Sequence, residues 1–114
     1  MLPHQFFKLL SDETRVRCLL LIMRAQCLSV GELTEALQES QPKVSRHLAQ
    51  LRQCGLLTDR RQGKWVFYRL NPDLPEWCAE VLHTTYRANE TYLHENLQRL
   101  TQMGDRPERA AQCC

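Results

Sequence analysis

Residues Val30–Leu70, VGELTEALQESQPKVSRHLAQLRQCGLLTDRRQGKWVFYRL, decide the fold. They read as a short helix, a tight turn, a longer second helix and a β-hairpin. In Gly31–Leu37 the apolar residues Leu33, Ala36 and Leu37 recur at helical spacing. Gln38-Glu39-Ser40 is polar and short enough for a turn. Ser40 stands where an N-cap belongs, and Pro42 falls in the first turn, where its missing N–H costs little. Val44, His47, Leu48, Leu51 and Gly55 then share one face, with Gly55 placed to end the helix. Gln41, Lys43, Ser45, Arg46, Gln50 and Arg52 take the opposite face. A second helix with a basic, amide-rich outer face is the arrangement that enters the major groove of DNA.

The hairpin is expected to pair Leu56–Arg60 with Lys64–Leu70 across Arg61-Gln62-Gly63, where Gly63 suits a positive-φ turn position. Arg60, Arg61 and Lys64 cluster at its tip, where no packing requirement explains them. A basic tip beside a helix-turn-helix reads as a wing aimed at phosphate or a minor groove. The DNA-contacting set is therefore Gln41, Lys43, Ser45, Arg46, His47 and Gln50 on the helix, with Arg60, Arg61 and Lys64 on the wing. No cofactor is required for DNA binding in this reading.

Bulk properties agree. A chain of 114 residues has room for one domain with a modest core. With 43% hydrophobic residues and no apolar run long enough to span a bilayer, it reads as an ordinary globular protein with no membrane partner. The N-terminus opens on a helical pattern without a cleavage-site region, so a cytoplasmic location is expected. A net charge of +2 decides little by itself. Its distribution decides more: Lys43, Arg46, Arg52, Arg60, Arg61, Lys64 and Arg69 face only Asp59 as an acidic neighbour in that span. In a reducing compartment Cys18, Cys27, Cys54, Cys78, Cys113 and Cys114 read as thiols rather than structural disulfides.

Outward from the centre, Leu2–Leu10 is a short amphipathic helix with Phe6, Leu9 and Leu10 on one side. Ser11-Asp12-Glu13 starts a second helix, whose buried stripe is Val16, Leu19, Leu20 and Met23 and whose polar side is Arg15, Arg17 and Arg24. Cys18 within it reads as a buried, inert thiol. After the wing, Asn71-Pro72-Asp73-Leu74-Pro75 breaks the strand. From Glu76 to about Met103 an interrupted apolar stripe, including Trp77, Val81, Leu82, Tyr86 and Leu97, predicts one long helix. The chain thus divides into a domain over residues 1–104 and a flexible cysteine-bearing tail over 105–114, which is polar, proline-broken and ends in Cys113-Cys114. Cys54, just after the recognition helix, is expected to face the core.

Ser40-Gln41-Pro42-Lys43-Val44-Ser45-Arg46-His47-Leu48, then Gly55-Leu56-Leu57 and Gln62-Gly63-Lys64-Trp65-Val66-Phe67-Tyr68-Arg69-Leu70, resembles the ArsR/SmtB family of metal-responsive bacterial repressors, most closely its arsenic-responsive branch. The resemblance runs from Phe6 to about Pro72. It implies a mainly α winged helix-turn-helix with a β-hairpin, a homodimer formed through the long C-terminal helix, and double-stranded operator DNA as partner. Arsenic sensors of this family carry a CVCDL-type motif before the recognition helix. The matching residues here are Ser29-Val30-Gly31-Glu32-Leu33, and Thr34 replaces a cysteine that often follows. The usual thiolate site is therefore missing, and Cys27 stands alone just before it.

Zinc sensors of the family bind metal along the long helix. His83 and His94 have the eleven-residue spacing of that motif, but the other ligand positions are Val81 and Leu97. Eleven helical residues rise roughly 16 Å, so a shared zinc would need antiparallel chains. No zinc site is expected. Cys113 and Cys114, two soft thiolates on a tether, are instead expected to hold trivalent arsenic, antimony or a methylated arsenical as inducer, with Cys78 as third ligand. The ten residues after Gly104 extend at most about 33 Å, enough to fold back on the domain. The function expected is a metalloid-responsive repressor and not an enzyme. Two rivals are a repressor switched by thiol oxidation and a small thiol enzyme acting on arsenicals, which would leave the recognition helix and wing unexplained.

Overall fold

The computed structural model describes residues 1–107. Its elements follow in the order α1 (Pro3–Leu9), α2 (Glu13–Ala25), β1 (Leu28–Ser29), α3 (Val30–Leu37), α4 (Gln41–Gln53), β2 (Leu57–Gln62), β3 (Trp65–Leu70), α5 (Glu76–Ala88) and α6 (His94–Gln102). The mainly α winged helix-turn-helix expected from the sequence is present, with α3 and α4 as the helix pair and β2–β3 as the wing.

Helix α2 runs through the middle. The Asp12 side chain, rather than Ser11, caps it by accepting from the Arg15 N–H at 3.1 Å. Cys18, Leu19, Leu20, Leu21 and Ile22 are consecutive and all fully buried, so this half of α2 is covered on every side. Val16 and Met23 of the expected stripe are only half-buried. The difference has a simple cause: a helix surrounded by α3, α4, α5 and the sheet loses the exposed face that a stripe presumes. Arg15 and Arg17 are not a solvated edge either, whereas Arg24 is exposed. Arg15 donates to the Leu9 carbonyl at 2.7 Å, and Arg17 donates to the Tyr92 carbonyl at 2.6 Å and Asn96 Oδ1 at 2.9 Å.

The three strands form an antiparallel sheet in the order β1-β3-β2. Strand β1 was not legible from its two residues. It pairs Leu28 with Tyr68 and Ser29 with Phe67, tying the segment before α3 to the wing. The wing pairs Leu57 with Leu70 through Gln62 with Trp65, so the turn is the two residues Gly63-Lys64; β2 runs two residues further than the expected Arg60, and β3 starts one residue after the expected Lys64. Gly63 has φ +60°, which a two-residue hairpin turn demands and glycine accepts without strain.

The single long helix from Glu76 to about Met103 is not formed. It divides into α5 and α6 at Asn89, whose backbone (φ −131°, ψ 63°) leaves helical geometry. Asn89 Nδ2 donates back to the Thr85 carbonyl at 2.8 Å, satisfying one of the last carbonyls of α5. Arg17 then holds the connection, with its guanidinium carbon 4.0 Å from the centroid of the Tyr92 ring. Helix α6 turns back to pack on α3, where Asn96 Nδ2 and Arg99 Nη1 both donate to the Ala36 carbonyl, at 2.8 and 3.0 Å. His83 and His94 consequently lie on different helices. The described residues contain no group of three or more His, Cys, Asp or Glu side chains placed to hold a metal ion.

Leu48 of α4 has no exposed surface and belongs to the main core with Leu19 and Leu33. Leu48→Ala is expected to lower the unfolding free energy by about 2–5 kcal/mol, read from urea denaturation. A decrease below about 1 kcal/mol would mean that this face of α4 is not packed as described.

Candidate nucleic-acid interface

Helix α4 starts as its sequence dictates. Ser40 Oγ accepts from the Lys43 N–H at 3.4 Å, and Pro42 occupies the first turn. It ends at Cys54, after which Gly55 turns the chain with φ +87°. That turn also disposes of the expectation for Cys54. As the C-cap it has left the helical phase that placed it inward, and its side chain is exposed. Val44, Leu48 and Leu51 are fully buried, which fixes the rotation of the helix and leaves Gln41, Arg46 and Gln50 exposed and Ser45 half-buried.

Two members of the expected DNA-contacting set are tied back to α2. His47 Nδ1 lies 3.4 Å from Arg15 Nη1 and its Nε2 lies 3.8 Å from Asp12 Oδ1, so the imidazole faces the domain rather than the groove side. Gln50 Oε1 accepts from Arg15 Nη1 at 3.2 Å but remains at the surface. Lys43 Nζ pairs with Glu39 at 3.0 Å, an exposed ion pair that phosphate can displace at small cost. Arg46 is exposed on the outer face, and Arg60, Arg61 and Lys64 are exposed on the wing. Lys64 Nζ stands 5.1 Å from the centroid of the Trp65 ring. Arg52, read from the sequence as part of the outer face, instead bonds Asp59 at 3.4 Å and braces α4 against β2. Sequence reasoning missed this brace because the partner lies on another element.

Between α3, the start of α4 and the wing lies a cleft of about 370 Å³ that includes Ser29, Gly31, Thr34, Lys64 and Trp65. Ser29, Gly31 and Thr34 are the positions at which the resemblance would have placed thiolates; here they offer a hydroxyl, a glycine and Thr34, whose buried Oγ1 has no hydrogen-bond partner among the described residues. Cys27 lies just outside the motif. It is 1% exposed, packs with Phe67 under Trp65, and is disulfide-bonded, where the sequence reading expected a thiol. Cys18, Cys54 and Cys78 are free thiols. Cys18 has no exposed surface, and burial pushes its thiol up to about 12. Cys78 is fully buried in the main core, and burial pushes its thiol above 9.0. Cys113 and Cys114, the other two expected ligands, lie outside the described residues.

A fixed outer helix face beside a basic wing is the arrangement of a winged helix-turn-helix transcription regulator. The chain belongs to the arsR family of bacterial regulatory proteins, whose model matches residues 12–59. It is 56% identical over 98% of its length to the arsenic resistance transcriptional regulator ArsR2 of Pseudomonas putida KT2440, covering 97% of that protein. It is 47% identical over 92% of its length to the arsenical resistance operon repressor of Escherichia coli K12, covering 92% of that protein. Among solved structures, the antimony-specific transcriptional repressor AntR superposes with a TM-score of 0.65 at 26% identity, over 76% of each chain. The family consists of regulators rather than enzymes.

Burial pushes the His47 imidazole below its ordinary 6.5; Arg15, Lys43 and Arg46 add to that, against the opposing pull of Asp12. Folding therefore favours the neutral ring. Its contribution to stability is complete above pH 6.5 and is lost as the pH falls through the depressed folded value. Denaturation at about pH 7.5 and about pH 5.5 is expected to show this loss in the intact chain and to show less of it in His47→Gln. An equal pH dependence in both proteins would remove His47 from the account.

Proposed function

We propose that this protein is a homodimeric repressor that binds operator DNA when unliganded and releases it when cysteine thiolates capture trivalent arsenic, antimony or an organoarsenical. The observation that carries the DNA half is the orientation of α4: three buried side chains hold it so that Arg46 and its neighbours face outward beside a basic wing. The names of the relatives, arsenic resistance regulators and an antimony-specific repressor, support the metalloid half. No helix among the described residues is long and apolar enough to cross a membrane.

Two recognition helices reach half-sites about one DNA turn apart only in a two-fold dimer. With the long helix divided, the apolar surface for that dimer lies elsewhere. Leu2 and Phe7 of the α1 segment are more than half exposed, and the Phe7 ring lies 6.4 Å from Trp77 of α5, giving one continuous apolar face for a second copy. An inducer acts by favouring a dimer geometry in which the recognition helices no longer match the half-sites, because only differential affinity shifts such an equilibrium. The disulfide at Cys27 favours one second reading, release by thiol oxidation, which excess thiol reductant separates from metalloid release.

Arg46→Ala is expected to weaken operator binding by about 1–3 kcal/mol while the dimer persists, read by anisotropy of labelled DNA together with sedimentation. Unchanged affinity would refute the assignment of the recognition helix. Arg61→Ala with Lys64→Ala is expected to flatten the slope of log affinity against log salt by about 1 for each phosphate no longer neutralised. An unchanged slope would place the wing away from the backbone. Truncation after Gln112 should keep repression and abolish induction; a truncated chain that still leaves DNA at the same arsenical concentration would move the inducer site off the tail.

A further inference from the structure

Arg15 is a bracket between α1 and α4. Its Nε donates to the Leu9 carbonyl at 2.7 Å and its Nη2 to the Lys8 carbonyl at 3.4 Å, which hangs the guanidinium from the last turn of α1. Its Nη1 faces α4, 3.4 Å from His47 Nδ1 and 3.2 Å from Gln50 Oε1. A guanidinium has five N–H groups and nothing that accepts, so each atom it bonds must be an acceptor. Two assignments follow. His47 Nδ1 carries no proton, which leaves the neutral ring's proton on Nε2, the nitrogen 3.8 Å from Asp12 Oδ1. Gln50 turns its carbonyl oxygen to Arg15, and its amide nitrogen is the end left over.

Gln50 is exposed, four residues after the exposed Arg46 and so one helical turn along the proposed DNA-contacting face. A free glutamine reads adenine with both ends of its amide, donating to N7 and accepting from N6. A second lone pair on the Gln50 oxygen does not restore that contact. Adenine requires oxygen and nitrogen side by side on the base edge, and this oxygen is turned to α2. What remains is a donor. The major-groove edges that suit a donor are guanine, with acceptors at N7 and O6, and thymine, with O4.

We propose that Arg15 is a positioning residue for sequence recognition: by holding the Gln50 oxygen, it makes Gln50 a donor-only reader that favours guanine or thymine and forfeits the paired contact with adenine. The proposal rests on α4 as the DNA-contacting helix and adds the base edge that one of its side chains meets. Part of the specificity is thereby set from α1 and α2, by a residue on neither element of the helix-turn-helix.

The test selects bound duplexes from a library randomised over one operator half-site, using the full chain, Gln50→Ala and Arg15→Met, with the folding of each checked by circular dichroism. The result expected is that Gln50→Ala erases the preference at one base pair, that the intact chain takes guanine or thymine there, and that Arg15→Met admits adenine. In anisotropy titrations of two duplexes differing only at that pair, the affinity ratio of the preferred base to adenine should fall about 10-fold in Arg15→Met. A merely structural role for Arg15 would weaken both duplexes alike and leave the ratio unmoved, which would overturn the proposal. So would adenine at that pair in the intact chain, or a Gln50→Ala protein that loses affinity for every sequence equally, since its donor would then meet phosphate. If Arg15→Met does not fold, Gln50→Glu replaces it. A carboxylate only accepts, so the preferred base should change to cytosine, whose N4 donates, and an unchanged base would count against the proposal. Failure of the intact chain to enrich any sequence would overturn the reading of α4 and this proposal with it; enrichment that ignores Gln50 would overturn the proposal alone.

Discussion

Everything this protein does at DNA depends on how α4 is held. Val44, Leu48 and Leu51 have no exposed surface, and a helix buried along one stripe has a fixed rotation. Turning it by one residue would put a charged side chain into the core, at a cost far above the net stability of a domain this size. Arg15 adds a second restraint, reaching from α2 to the Leu9 carbonyl on one side and to His47 and Gln50 on the other. Arg52 and Asp59 then set the wing against the same helix. The outward face of α4 and the basic wing tip are in this sense one rigid surface, assembled from the core outward.

Helix α3 carries the other half of the logic, because it packs against α2, α4, α6 and strands β1 and β3. Its N-terminus is closed by a reciprocal cap, in which Ser29 Oγ accepts the Glu32 N–H and Glu32 accepts the Ser29 N–H. Glu32 is a buried carboxylate, and such a charge is tolerated only when paired and hydrogen-bonded. Arg106 supplies the pair. The C-terminal half of α3 holds α6 through the Ala36 carbonyl. Arg106 is thereby connected to the helix that precedes the DNA reader, without passing through the reader itself. A regulator needs that separation, since its sensing part has to bias the DNA-binding part without occupying its binding surface.

Much of this was legible from local rules. The turn at Gln38-Glu39-Ser40, the cap at Ser40, the end of α4 near Gly55 and the turn glycine at Gly63 each follow from the chemistry of one or two residues. What local rules missed was decided by distant partners. Strand β1 is two residues long and exists because β3 lies beside it. The apolar stripe of Glu76–Met103 continues through Asn89, yet the helix breaks there, because Arg17 and α3 hold Tyr92 and Asn96 in a direction that one straight helix cannot reach. His47 lies on the inner side of α4, as its helical phase dictates, and its contacts with Asp12 and Arg15 remove it from the DNA side. The pairing of Arg106 with the buried Glu32 was equally illegible, because nothing in the local sequence of either residue points to the other.

The central claim is that metalloid capture and operator binding exclude one another. The direct measurement is anisotropy of a labelled operator bound to the reduced intact chain as arsenite is added, followed by excess small dithiol to strip the arsenic away. The account predicts that anisotropy falls to the value of free DNA on arsenite and returns on dithiol, without loss of protein. DNA that stays bound at saturating arsenite, with arsenic demonstrably on the protein, would contradict it.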